Sequence, residues 1–289
     1  VLLTRGGEGI SVFNKKGEHS HVPPIKISKL FDVTGAGDTV IATASLGLVS
    51  GLNLIETAEL ANHAAGIVVQ KPGTSVILPE ELMSSFKEDI NHYLRESIDV
   101  KKKVIEQQLD KIEKAAHLFV NSYKKGNKII AFGNGGSASD AQHLVGELVG
   151  RFKIERKGLP AIALTTDSSV VTAIANDYGF DKIFERQIEA NSQRGDIVFA
   201  ISTSGNSKNV INAIIKAKKI GCKVIGLTGK NGGEMIKHCD ISITVPSDNT
   251  PRIQEAHIAI IHILCEILDN EILKLQKQNV KNKKKKWIN

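Results

Sequence analysis

The 289 residues carry a formal charge of +7, with 41% hydrophobic and 24% charged residues. That balance fits a globular protein, excludes collagen-like and low-complexity chains, and at this length is a soft indication of two domains. No apolar run reaches the length of a membrane span, and no basic-then-apolar leader opens the chain. Cys222, Cys239 and Cys265 lack metal-type spacing and cannot all pair, so they read as small buried residues in a reducing, cytoplasmic protein. Five lysines and no acid occupy residues 280–289; setting them aside leaves +2. The basic character is that of a solvated tail, so nucleic acid is not an expected partner.

Val1 already lies in a strand pattern, so the start reads as an internal cut. Strands are expected over 1–3 and 10–14, around the turn Gly6-Gly7-Glu8-Gly9. The segment Asp32-Val33-Thr34-Gly35-Ala36-Gly37-Asp38 precedes expected helices over 39–49 and 54–69, the second stopped before Pro72-Gly73. A short strand is expected over 75–78. Residues 80–95 turn polar, which sets expected domains at 1–90 and 91–278, followed by a basic tail at 279–289. An amphipathic helix is expected over 98–124 from the spacing of Val104, Ile105, Leu109, Ile112, Ala116, Phe119 and Val120.

Beyond Gly126 apolar strands alternate with helices. Strands are expected over 129–132, 161–165, 197–202, 223–227 and 241–245. Helices are expected over 139–152, 168–175, 181–191, 207–219 and 234–238. This is the pattern of a doubly wound parallel five-stranded α/β sheet covered on both faces, with ligands at the strand carboxyl ends. A final helix over 251–277 is expected, with Thr250 as cap and Pro251 at its first position.

Two loops fall at those carboxyl ends. Gly133-Asn134-Gly135-Gly136-Ser137 follows one strand, and Ser202-Thr203-Ser204-Gly205-Asn206-Ser207 follows another. Hydroxyls and backbone amides at a helix N-terminus suit a monophosphate, and the lack of a Walker lysine disfavours a nucleoside triphosphate. A serine-rich turn that only caps the next helix is the other reading. His143 and Glu147 stand at i and i+4, and Gln254 and His262 lie two turns apart on the last helix. Two nitrogens, a carboxylate and an amide oxygen could close around zinc. A surface His–Glu pair and a packed histidine explain the same spacing.

Taken together, residues from about 91 to 278 resemble the sedoheptulose 7-phosphate isomerases of the sugar isomerase (SIS) superfamily. The resemblance rests on Gly133–Ser137, Asp140-Ala141-Gln142-His143, Glu147-Leu148, Ala175-Asn176-Asp177-Tyr178-Gly179, Ile201–Ser207, Leu227-Thr228-Gly229-Lys230, and Arg252-Ile253-Gln254-Glu255 with His257 and His262. It implies conversion of sedoheptulose 7-phosphate to D-glycero-D-manno-heptose 7-phosphate, the first step toward lipopolysaccharide heptose. It also implies Glu147 as base and His262 as partner acid, and zinc on His143, Glu147, Gln254 and His262. Phosphate would fall to Ser202, Ser204 and Ser207 with Thr203, and the sugar to Asn134, Gly135, Gly136, Ser137, Asp177 and Gln254. The expected assembly is a homotetramer with active sites between subunits. Some members carry an acid where this chain has Thr250-Pro251, which bears on one hydroxyl contact.

Residues 1 to about 88 resemble the C-terminal part of ribokinase-like (PfkB) sugar kinases, nearest the heptose 7-phosphate kinase type. There Gly35, Ala36 and Gly37 would form an anion hole and Asp38 the base. Asn62 and Lys71-Pro72-Gly73 would line the nucleotide pocket. A segment this short reads as a fragment without kinase activity of its own. The first rival to an isomerase is a non-catalytic SIS sugar-phosphate or replication-initiator module, against which the His143, Glu147, Gln254 and His262 set argues; the second is residual heptose kinase activity, with the missing part of the kinase supplied by another chain.

Overall fold

The structure, a computed structural model, describes residues 1–14, 17–25 and 30–286, without the side chains of 83–86, 88 and 275–286. The chain packs as two units, Val1–Leu94 and Arg95–Asn289. The division falls inside one helix, α3 (Pro79–Lys124), which also takes in the polar stretch 80–95. That stretch holds the helix-favouring Glu80, Glu81, Leu82, Lys87, Glu88 and Leu94 and no Gly, so polarity there marks a helix and not a linker.

In the first unit β1 (Leu2–Thr4), β2 (Ile10–Phe13) and β3 (His19–Val22) form an antiparallel meander in that order. Sequence pattern missed β3 because His19-Ser20-His21 is polar and only Val22 is buried. Helices α1 (Ala36–Val49) and α2 (Leu54–Val68) pack on it through Val40, Ala44, Ala58 and Ala61 against Ile10, Val12 and Val22. Asn53 caps α2 reciprocally: its side chain accepts from Ile55 and Glu56 amides, and Glu56 accepts from the Asn53 amide. The expected strand over 75–78 is absent. Its backbone turns instead to Lys71, which donates to the Val76 carbonyl, and to Glu81, which accepts from the Leu78 amide.

In the second unit β4 (Ile129–Phe132), β5 (Ala161–Ala163), β6 (Ile197–Ser202), β7 (Lys223–Gly229) and β8 (Ile241–Val245) form a parallel sheet of order β5-β4-β6-β7-β8. Helices α4 (Gly136–Val149), α5 (Ser168–Tyr178), α6 (Ile183–Asn191), α7 (Lys208–Ile220) and α8 (Thr250–Lys286) connect and cover it. Alternate strand residues feed two cores, as the period of two requires. Ile129, Ala131, Ile197 and Phe199 pack with α3, α4 and α8. Ile130, Phe132, Val198 and Ala200 pack with α6 and α7. Residues 234–238 form a 3-10 turn, and the 181–191 helix splits into a 3-10 turn (Phe180–Lys182) and α6. Thr250 is the first residue of α8, and that helix continues into the lysine tail to Lys286 because no Gly or Pro follows Pro251; residues 287–289 lie outside the described residues.

The sheet's lower end is pinned by charge. Asp196, fully buried, accepts from Lys128 Nζ at 2.6 Å and from the Lys128 and Gln193 amides at 3.0 and 2.9 Å. At the upper end the chain leaves β4 for one side and returns to β6 on the other. That reversal opens a crevice beyond the carboxyl ends of β4 and β6, where doubly wound sheets bind ligands.

Candidate active site

Both loops singled out in the sequence open on this crevice. Gly133 is held to glycine by close approach: a Cβ there would stand 2.7 Å from the Ile201 carbonyl oxygen and from Ser137 Cβ. Ser137 is buried in the first turn of α4. Across the crevice Ser202 Oγ lies 3.2 Å from Ser207 Oγ and accepts from the Gly205 amide at 3.2 Å. Gly205 has φ +66°, and a Cβ on it would collide with the Gly232 carbonyl. Ser204 Oγ accepts from the Asn206 amide, and the Thr203 carbonyl accepts from the Gly229 amide. Ser207 precedes α7 without spending its hydroxyl on a cap, and Asn209 Oδ1 accepts from the Val210 amide at 2.9 Å, so the helix start offers an anion the Lys208 and Asn209 amides.

Asn209 went unrecognised from sequence, because it sits inside α7 beyond the serine run. Its side-chain amide and that of Asn134 exchange two hydrogen bonds, at 3.0 and 2.9 Å. This pair ties the glycine loop to the serine loop.

A second cluster lies on α4 and α8. His143 Nε2 is 3.2 Å from Glu147 Oε1 and 2.8 Å from His262 Nε2. Ligand atoms of the three residues all lie within 4.8 Å of one another. Two ring nitrogens that close need a shared proton or a cation between them, and the carboxylate beside them favours positive charge. The set therefore fits a divalent ion of borderline softness. Phe152 stacks on His262 with ring centres 5.6 Å apart.

The Gln254 amide rests on Gly136, where a Cβ would strike it. Gln254 precedes His262 by two turns, about 12 Å of helix rise. Gly136 meets Gln254 and His143 meets His262, so α4 and α8 run in the same direction. Asp177 lies in the last turn of α5, exposed, with its carboxylate accepting from Asn176 at 2.8 Å, and this contact does not bring it into either cluster.

Buried groups around the site are perturbed. Asp140, one turn before His143, is pushed up to about 6 by burial, and its Oδ2 has no partner among the described residues. His257 is pushed down to about 4 by burial, against a bond to the Thr228 carbonyl. Burial raises all three thiols, Cys239 to about 11 and Cys265 to about 12, so none is poised as a nucleophile.

In the first unit Gly35 (φ +82°) precedes α1, and Ala36, Gly37 and Asp38 form its first turn. Asp38 is exposed. A cleft of about 380 Å³ touches Gly7, Ala36, Gly37 and Asn62, and among the described residues no charged side chain lines it. Asn62 donates to the Pro23 carbonyl, and Lys71 is paired with Glu81 at 2.6 Å. The His–Glu–His cluster of the second unit, by contrast, gathers two imidazoles and a carboxylate.

Residues 92–229 match the SIS domain family, and residues 1–81 match the pfkB family of carbohydrate kinases. The phosphoheptose isomerase of Aliarcobacter butzleri is 58% identical over 170 residues, which is 59% of this chain and 90% of that protein. That of Geotalea daltonii is 52% identical over 185 residues, 64% of this chain and 96% of the other. A solved phosphoheptose isomerase from Neisseria gonorrhoeae superposes with a TM-score of 0.61 at 41% identity, over 64% of this chain and 99% of its own. One from Francisella tularensis gives 0.62 at 41%, over 63% and 97%. With the parallel sheet, the paired loops and the His–Glu–His cluster already in place, these likenesses decide the kinship: the chain belongs to the phosphoheptose isomerase family.

Proposed function

We propose that the second unit interconverts sedoheptulose 7-phosphate and D-glycero-D-manno-heptose 7-phosphate, an aldose–ketose isomerisation on the route to lipopolysaccharide heptose. The observation that carries this reading is the His143–Glu147–His262 cluster on helices whose N-terminal ends flank a phosphate-type loop. A binding module needs the loop but has no use for a base beside a metal site.

The phosphate would sit on Ser202, Ser204 and Ser207, with Thr203 beside it and the α7 amides behind. The Asn134–Gly135–Gly136–Ser137 loop, Gln254 and Asp177 would orient the sugar hydroxyls. One Glu147 oxygen faces His143; the other can take a proton from C1 and return it to C2. His262, through the ring nitrogen that is not on the metal, would move the proton between O1 and O2 so that the enediol forms and collapses without net loss. His143, Glu147 and His262 would hold zinc, which when bound polarises the substrate carbonyl. As a fourth ligand Gln254 would have to leave Gly136. We place the protein in the cytoplasm as a homotetramer with sites between subunits; among the described residues no helix is long and apolar enough to cross a membrane.

The test is isomerisation of sedoheptulose 7-phosphate by purified protein, with and without chelator. Turnover lost to chelator and restored by zinc supports the whole reading. A folded, zinc-loaded protein that binds the sugar phosphate without turning it over replaces it with a sensor.

A further inference from the structure

Between α4 and β5 the segment 150–160 carries a buried ion pair that neither the substrate nor the metal reading uses. Arg156 Nε donates to Asp269 Oδ1 at 2.7 Å, and both side chains are only 2% exposed. The rest of the guanidinium is spent on the end of α4. Nη2 donates to the Glu147 carbonyl at 2.8 Å, and Nη1 to the Leu148 and Lys157 carbonyls at 2.9 and 3.3 Å. The other Asp269 oxygen accepts from the Lys153 and Ile154 amides at 3.0 and 3.3 Å.

Each bond has a local cause. A helix end leaves its last carbonyls without partners and gathers negative partial charge, so a planar cation fits there. A cation this deep needs an anion, and Asp269 supplies it. The consequence reaches further. Glu147, whose carbonyl Arg156 grips, bears the carboxylate of the cluster. Asp269 lies seven residues, two turns, after His262 on α8. The segment that Asp269 holds through its amides also carries Phe152, which stacks on His262. One ion pair thus fixes the end of α4, the axial height of α8 and the ring that backs His262.

We infer that Arg156 and Asp269 are positioning residues that hold Glu147 and His262 in register for the proton transfer. The inference rests on the proposed reading of the cluster. Neither residue touches the cluster's ligand atoms; both act through the backbone and Phe152.

The test must separate register from folding. Removing one partner strands a buried charge, so the first variant is Arg156→Met with Asp269→Leu, because replacing both partners by apolar groups of similar volume is commonly tolerated. Thermal stability, Co²⁺ affinity read from visible absorption, and kcat and KM are measured on the full chain. The expected result is a folded protein whose melting temperature is lowered by the Glu147 carbonyl and the Lys153 and Ile154 amides left without these partners, with Co²⁺ affinity and kcat each lowered about 10–100-fold and KM little changed. Arg156→Lys is the second variant. It keeps the charge but cannot reach both carbonyls and Asp269, and its losses should fall between wild type and the double variant. A folded double variant with wild-type kcat and Co²⁺ affinity overturns the inference. So does a loss in both variants that only follows the unfolded fraction. Wild-type protein that fails to isomerise sinks the functional reading instead, and the Co²⁺ comparison still decides the positioning.

Discussion

Each unit presents glycines at the start of a helix, and the two presentations differ in what stands behind them. Gly35-Ala36-Gly37-Asp38 opens α1 beside a three-stranded antiparallel meander, with Asp38 exposed. Gly133–Ser137 and Ser202–Ser207 open α4 and α7 at the reversal point of a five-stranded parallel sheet, bound to one another through Asn134 and Asn209. The local chemistry is similar: backbone amides, a helix dipole, a nearby acid. The second unit adds convergence, because its topology aims two helix N-termini at one crevice and lays α8 along α4. A glycine motif offers an anion site, and the sheet behind it decides whether a second group arrives to act on the ligand.

The sharpest way to break this comparison is Glu147→Gln. If the convergent cluster does the chemistry, kcat falls by roughly 10²–10⁴ with the fold unchanged. Activity within twofold of wild type would return the second unit to the level of the first, a binding surface. The next effect is on stability. Well above pH 6.5 His257 is neutral folded or unfolded and contributes nothing to pH dependence. As pH falls from 6.5 toward 4, the unfolded chain takes a proton that the buried ring refuses. Stability is lost over that window, up to about 3 kcal/mol. In His257→Leu the Thr228 carbonyl loses its partner at every pH, so the slope and not the level is the readout. Melting curves from pH 7 to 4.5 should be flatter for the variant, and equal slopes would refute the assignment.

Gly205→Ala probes the serine loop. At φ +66° and against the Gly232 carbonyl, the methyl should cost about 2 kcal/mol and raise KM more than it lowers kcat. An unchanged KM would mean that the loop does not bind the phosphate. The smallest effect belongs to the first unit. Asn53→Ala removes the α2 capping box and should cost about 1 kcal/mol there, seen in hydrogen exchange of α2, while isomerisation stays as it was. A fall in kcat would show that the two units do not work independently.

What could be read without coordinates follows from range. The parallel sheet was legible because each of its strands is a short apolar run between helices, such as Ile129–Phe132 and Ile197–Ser202. β3 was not, since an edge strand of alternating His and Ser carries almost no apolar signal. The run Val76-Ile77-Leu78 misled in the opposite direction: apolar residues leading into a helix look like a strand when the capping partners, Lys71 and Glu81, are not in view. At the site, His143 and Glu147 announce themselves by helical spacing, and His262 joins them only through packing across 119 positions. Asn209 meets Asn134 across 75 positions and Asp269 meets Arg156 across 113, and no local pattern predicts either.

The Asn134–Asn209 bridge has a consequence for how the enzyme meets its surroundings. Two carboxamides carry no proton to gain or lose near neutrality and no charge for salt to screen. The gap between the glycine and serine loops is therefore set by a spacer that acidity and ionic strength leave alone. The two loops thus keep their spacing through a neutral contact, whatever the charges around them do.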